Sequence, residues 1–313
     1  MSAAVQPMPS PFSPTPSQVA VAYSVCRSIT RSAAKNFYYA FLVLPAAKRQ
    51  ALCAVYAYMR RCDDIADDFK LPAHERRQRL EAWLDALHRA ESGHPTDDPV
   101  LLALTDTQRQ YKIPVELLDQ LAYGTGMDIQ DSAPSSTSGV ADLQVLYRTF
   151  SDLRQYCYRV ASVVGLVCIR IFGYRDPLAE SLAENLGLAF QLTNIIRDIQ
   201  EDAAMGRIYL PAEDLERFKI APAEFRQAAI PERLRWLLAA EADRAREYYG
   251  AARDLMPLID EDSQPALWVL VTIYRRLLEK ISDRKYDVFG RKISLTVREK
   301  VVILGKGVVK RLA

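Results

Sequence analysis

Residues 189–211 read AFQLTNIIRDIQEDAAMGRIYLP, and the spacing inside this stretch decides the fold. On an α-helix, Leu188, Leu192, Ile195, Ile196 and Ile199 form one apolar stripe, while Gln191, Asn194, Asp198 and Asp202 form a second line roughly a quarter-turn away. The acidic line therefore borders a core rather than facing open water. Carboxylates four residues apart on a helix repel by a few tenths of a kcal/mol, so stacking Asp198 above Asp202 raises the question of what compensates them. One answer is a cation held between them.

Working outward, nearly every segment from Ser17 onward carries apolar residues at helical spacing. Helices are expected over 47–69, 74–91, 114–130, 141–173, 177–202, 231–256 and 263–284, with prolines between them or at their starts. The fold class is all-α. No fixed-period repeat or long linker divides the chain, so one helical domain over 18–300 is expected. An uncharged Pro/Ser-rich leader (1–17), read as disordered, precedes it, and a basic end (301–313) follows; the polar stretch 131–139 reads as a loop.

The first half repeats the acidic arrangement. Tyr56, Arg60, Asp63 and Asp67 also stack on one helical line, and two helices each presenting a D-x-x-x-D pair can face one another across a cavity. Hard cations such as Mg²⁺ prefer carboxylate oxygens and share their remaining positions with substrate phosphates, so two such pairs imply a polyphosphate clamp. For a single pair the bland alternative holds: a solvated acidic face with Asp64 or Asp67 paired to Arg60 or Arg61. Two pairs, each beside an apolar stripe and each joined by arginine, favour function. Arg27, Arg31 and Lys35 share one N-terminal helical line, and Arg197 and Arg207 bracket the second pair, which suits phosphate contacts. Aromatic residues (Phe37, Tyr38, Tyr39, Phe41, Tyr56, Tyr58, Tyr156, Tyr158, Tyr274) divide between core positions and faces able to stabilise a carbocation without capturing it. A diphosphate clamp beside an aromatic, apolar cavity suggests an isoprenoid substrate.

Composition excludes other classes. Lys plus Arg is 41 against 39 Asp plus Glu, which argues for no nucleic-acid partner. Five cysteines without a CxxC pair suit reduced, buried thiols, and His74, His88 and His94 leave little material for a zinc site or a serine triad. The apolar runs 160–169 and 265–274 are about half a membrane span. A cytoplasmic protein is expected. The stretch from Val288 holds seven basic residues and one acid, and reads either as a plain basic helix end or as a peripheral contact with the anionic inner face of a membrane.

The stretches KNFYYAFLVLP, AVYAYMRRCDDIADD, YCYRVASVVG and AFQLTNIIRDIQEDAAMGRIYLP together resemble the squalene/phytoene synthase family of head-to-head prenyl diphosphate synthases, over about residues 20–285. The resemblance implies a single all-α domain with a central cavity that binds two molecules of farnesyl or geranylgeranyl diphosphate with Mg²⁺ (or Mn²⁺). It implies that Asp63, Asp67, Asp198 and Asp202 hold metal, and that Lys35, Arg60, Arg197 and Arg207 hold diphosphate oxygens. Tyr56, Tyr156, Gln191, Asn194 and Tyr274 would then line the reacting centre. Phe37 falls in the first matching stretch and is carried as a substrate contact. Several relatives have histidine and serine near Lys35 where this chain has Ala33 and Asn36; Asn36 can still hydrogen-bond a phosphate. The implied chemistry is ionisation of one diphosphate, attack of the second substrate's double bond on the allylic cation, and closure to a cyclopropylcarbinyl diphosphate. Released diphosphate or a tyrosine hydroxyl (Tyr56 or Tyr156) takes the proton. No dinucleotide fingerprint is visible, so NADPH is not expected. VASVVG, where phytoene synthases often show VAGTVG, leans the reading toward presqualene diphosphate from farnesyl diphosphate, with phytoene synthesis as the alternative. Chain elongases, terpene cyclases and a non-catalytic helical interaction protein fit the two acidic blocks less well.

Overall fold

The computed structural model describes residues 14–33, 37–129 and 143–312. The side chains of Phe37 and Leu312 also fall outside the description, as do Lys35, Asn36 and the loop expected at 131–139. In chain order the helices are α1 (Pro16–Ala33), α2 (Phe37–Phe41), α3 (Ala46–Ala66), α4 (Ala73–Glu91), α5 (Pro99–Tyr111), α6 (Val115–Met127), α7 (Phe150–Cys157), α8 (Val163–Phe172), α9 (Leu178–Ala204), α10 (Ala212–Arg217), α11 (Glu232–Ala251), α12 (Gln264–Asp283) and α13 (Val297–Leu312). Pro45, Pro72, Pro114, Pro177, Pro211 and Pro231 each stand immediately before a helix, where a missing N–H costs nothing. The all-α reading holds.

Four details differ from the sequence reading. Helix α5, PVLLALTDTQRQY, was not anticipated, because Val100 to Leu104 are all buried between α1, α3 and α4 and leave no polar face to give a period. The helix expected from 141 begins at Phe150, where a Thr149–Asp152 capping box starts it. Upstream, Gln144–Val145 (β1) pairs in parallel with Arg207–Ile208 (β2). The segment read as one helix over 231–256 ends at Ala251 and continues as a 3₁₀ turn, Arg253–Leu258. Finally, the boundary drawn at residue 300 falls inside α13, which packs on α12 and α2.

Between α7 and α8, Tyr158–Ser162 winds as a π-turn, a feature that recurs at functional sites. Against it lies Gly187 of α9, where a Cβ would stand 2.6 Å from the Ala161 carbonyl oxygen. Only glycine allows that approach. The run Phe150–Phe172 is apolar and long enough to cross a membrane, yet half of its most apolar stretch is buried within the protein. Its composition is explained by its place in the core and in the cavity wall.

Candidate active site

An apolar cavity of about 960 Å³, counting the open space at its mouth, runs through the bundle. Helix α3 lines it with Leu52, Val55, Tyr56 and Met59; α9 lines the facing side with Leu186, Gly187, Phe190, Gln191 and Asn194. Helix α8 and the π-turn supply a third wall, and α2 and α12 a fourth with Phe41, Leu267, Leu270 and Tyr274. Along both α3 and α9 the acids follow one to two turns beyond the lining residues, so both pairs sit at the same end of the cavity.

That end is built from helix C-termini. Asp67 is the C-cap of α3, its N–H bonded to the Asp63 carbonyl at 2.8 Å, rather than a residue inside the helix as expected. Asp202 lies in the last turn of α9, and Asp128 is the C-cap of α6. Helix C-termini carry partial negative charge, so three of them bearing carboxylates create a strong demand for cations. The carboxyls sense one another. Burial and then Asp67 push Asp63 up to about 6, with Asp128 adding to the effect. Burial and then Asp198 push Asp202 up to about 7, again with a contribution from Asp128.

Asp128 was missed by the sequence reading because a single acid in GMDIQ has no i+4 partner. Its carboxylate accepts hydrogen bonds from Tyr209 (2.9 Å) and Tyr156 (3.1 Å), and its carbonyl accepts one from Arg207 (3.0 Å). The β1–β2 pairing brings Arg207 and Tyr209 to this position after Gly206, whose φ of 84° makes the turn out of α9. Tyr156 is thus placed against Asp128 in a stack with Tyr147 and Tyr209, not in the cavity wall with Tyr56 and Tyr274.

The arginines are engaged. Arg60 pairs with Asp64 at 2.5 Å, the partnership the bland reading anticipated, while also raising the acidity of Asp63. Arg197 grips its neighbour Asp198 through both Nε (2.7 Å) and Nη2, and Lys292 reaches the same carboxylate at 3.0 Å. Burial alone would raise the Asp198 pKa, but Arg197 and Lys292 outweigh it and hold the carboxyl below the usual carboxylate range. Lys292 was read only as part of a basic tail. Arg27 and Arg31 are exposed on α1, and among the described residues nothing couples them to the acids.

Gln191, Asn194 and Tyr274 meet at the cavity's polar rim. Asn194 donates to Gln191 at 3.4 Å and hydrogen-bonds the Tyr274 hydroxyl, while Tyr274 stacks on Phe190 at 4.2 Å. Of the other aromatic residues named above, Phe41 lines the cavity, whereas Tyr58 is a core residue stacked on Trp83. The Asn194 Oδ1, one turn before Asp198, is buried without a hydrogen-bond partner among the described residues. Among the described residues no three His, Cys, Asp or Glu side chains form a ready-made metal cage. Yet an orphaned amide oxygen, the Asp63 and Asp202 carboxyls raised by burial and by their acidic neighbours, and an all-oxygen donor set fit a Mg²⁺ ion that completes its shell with substrate phosphate.

Acids and cations at the mouth of an aromatic, apolar cavity in a helical bundle define an isoprenoid synthase-type protein. The squalene/phytoene synthase family profile matches residues 30–299. The phytoene synthase of Mycobacterium tuberculosis is 36% identical over 290 residues, covering 91% of this chain and 90% of its own. The 15-cis-phytoene synthase of Synechococcus elongatus is 36% identical over 285 residues, covering 87% of each. Among solved structures, a dehydrosqualene synthase in complex with ligand superposes with TM-score 0.80 at 31% identity, covering 93% of this chain and 96% of that one. Squalene synthase HpnC of Alicyclobacillus acidocaldarius gives 0.77 at 30%, covering 88% and 98%. The chain belongs to the squalene/phytoene synthase family. It is a prenyltransferase that joins prenyl diphosphates head to head.

Proposed function

We propose that the protein condenses two geranylgeranyl diphosphates to phytoene. The observation that carries this reading is the 36% identity, over about nine-tenths of both chains, to proteins named phytoene synthase. The lean toward presqualene diphosphate rested on VASVVG, which departs from VAGTVG at Ser162 and Val163. Both residues are fully buried and neither lines the cavity; the Ser162 hydroxyl donates to the Glu184 carbonyl at 2.7 Å. Those two differences lie in helix packing, behind the residues that line the cavity. The likeness to squalene synthase HpnC keeps a farnesyl reading as the second one.

Asp63, Asp67, Asp198 and Asp202, with the Asn194 amide oxygen, would hold Mg²⁺, which when bound supplies positive charge to a leaving diphosphate. The protein's own part is positioning and exclusion. Arg60, Arg197, Arg207 and Lys292 present cations at the acidic end; Arg60, Arg197 and Lys292 can each exchange a carboxylate for a phosphate oxygen, while Arg207 is held by the Asp128 carbonyl. Deeper in, Tyr56, Phe190 and Tyr274 present aromatic faces, and among the described residues the lining includes no carboxylate, lysine or histidine to trap an allylic cation. The Tyr156 hydroxyl is engaged as a hydrogen-bond donor to Asp128, which favours Tyr56 or released diphosphate as the group that takes the proton.

The test is incubation of the protein with Mg²⁺, without NADPH, and separately with geranylgeranyl and farnesyl diphosphate, followed by mass analysis of extracted products. A C40 hydrocarbon from the longer substrate is expected. A C30 cyclopropyl diphosphate from farnesyl diphosphate alone would transfer the assignment to presqualene synthesis. Product from neither would remove the head-to-head assignment for these residues.

A further inference from the structure

Helix α13 is buried along one face and apolar along the opposite one. Ile303 and Gly307 face inward, and Gly307 lies so close to α12 that a Cβ would meet Val269 at 2.5 Å. On the outward side Val301, Val302, Val308 and Val309 are 55%, 51%, 42% and 65% exposed. At 100° per residue these four fall within one arc of about 120°, with Arg298 and Gly305 inside it. Scattered exposed valines need no explanation, whereas a whole outward stripe of them does.

The charges around the stripe have one sign. Lys306 and Lys310 follow one margin and Arg311 the other, with the Lys310 ammonium 5.2 Å above the Trp268 ring. The single acid of the helix, Glu299, is tied to Lys280 at 2.6 Å. A surface groove between α12 and α13 is lined by Arg275, Arg276 and Arg298 against Glu279 and Glu299. Arg276 pairs with Glu279 at 3.0 Å, while Arg298 and Lys306 make no ion pair among the described residues. A solvated helix would carry its charges on the outward face. Here the outward face carries four valines around the single Arg298 and its margins are cationic, the pattern of a helix lying in a lipid interface.

We propose that α13 seats the protein on an anionic membrane surface, its valine stripe among the acyl chains and Arg298, Lys306 and Lys310 among lipid phosphates. With 16 residues α13 is about 24 Å long and too short to span. It packs on α2 and α12, the elements that supply Phe41, Leu267, Leu270 and Tyr274 to the cavity. The seat therefore lies behind the cavity wall that α2 and α12 form. Granting the prenyl reading above, this places a water-insoluble product one helix layer from lipid.

The experiment is flotation of the full chain with phosphatidylcholine vesicles and with mixed phosphatidylglycerol–phosphatidylcholine vesicles, in the absence of substrate. Because no turnover is read, its outcome is independent of the substrate assignment. Binding to the anionic vesicles only, weakened by high salt, is expected. Arg298→Gln with Lys306→Gln should lower the partition coefficient about thirtyfold. Val301→Asp with Val309→Asp should abolish binding while leaving the thermal melt and product formation in detergent intact. Equal binding to neutral vesicles, or none to either, would overturn the proposal. So would a dimer of the native chain that the valine variant converts to monomer without any flotation, since the stripe would then cover a second copy.

Discussion

At the scale of single residues, Asp198 and Asp202 are four positions apart and have opposite electrostatic circumstances. Burial, Asp198 and Asp128 push Asp202 up to about 7, so that part of it keeps its proton at neutral pH, whereas Asp198 is the counter-ion of a partly buried Arg197. Asn at 202 removes a repulsion, while Asn at 198 strands a guanidinium whose side chain is only 15% exposed. Asp202→Asn is therefore expected to raise the melting temperature of the metal-free protein by roughly 2–5 °C near neutral pH. Asp198→Asn should lower it, a stranded buried partner costing about 1–3 kcal/mol. Both should abolish product formation. Equal shifts from the two variants, read by differential scanning fluorimetry, would show that the Arg197–Asp198 pairing does not govern the site. The sequence displayed both aspartates, since their spacing marks them, but not this asymmetry. Lys292 comes from a loop ninety-four positions downstream of Asp198, and nothing in its neighbourhood says which acid it meets. Asp128 was illegible for a related reason: its significance lies in Tyr156, Tyr209 and Arg207, which converge only after α6, α7 and α9 have packed.

At the scale of elements, the legible parts were helices with one polar face, and the illegible ones were those whose surroundings are uniform. Helix α9 announces itself through its stripe; α5 does not, because its apolar run is enclosed on most sides. The β1–β2 pairing involves two residues per strand and no alternation long enough to read, yet it fixes Arg207. Packing of α9 on the π-turn is likewise a tertiary event, and it depends on Gly187. Gly187→Ala places a methyl against the Ala161 backbone, where no rotamer can relieve it. Overpacking of this kind costs about 1–3 kcal/mol, or roughly 2–10 °C in melting temperature. Because Gly187, Val160 and Ala161 all line the cavity, the same variant should turn over more slowly even at temperatures where it is fully folded. Unchanged kinetics in a destabilised variant would mean that the π-turn serves stability alone and leaves the cavity's shape to other contacts.

At the scale of the whole molecule, the acids at the cavity mouth couple folding, proton binding and metal binding. Asp63 at about 6 and Asp202 at about 7 lie above the ordinary value of 3.8, so the folded chain retains protons that the unfolded chain has released. Stability from these groups is therefore full below about pH 4 and is lost as pH rises through about 6–7. Burial and then Asp214 also raise Glu241, against the pull of Arg244, and add a slope of the same sign from outside the acidic mouth. Glu299 at about 2 acts in the opposite sense: its contribution is present above the unfolded value of 4.5 and is lost only as pH falls toward 2. Mg²⁺ with inorganic pyrophosphate needs the aspartates deprotonated, so it should reverse the part of the slope due to Asp63 and Asp202 and leave that of Glu241 intact. The expected observation is a ligand-induced rise in melting temperature that is small near pH 5.5 and reaches on the order of 5 °C near pH 8 at a hundredfold excess over the dissociation constant. In Asp202→Asn the rise should be smaller and its pH dependence shallower, because one of the two titrating ligands is gone. A shift of equal size at both pH values would mean that pyrophosphate is held by Arg60, Arg197, Arg207 and Lys292 alone, and that the raised aspartates are not where the metal binds.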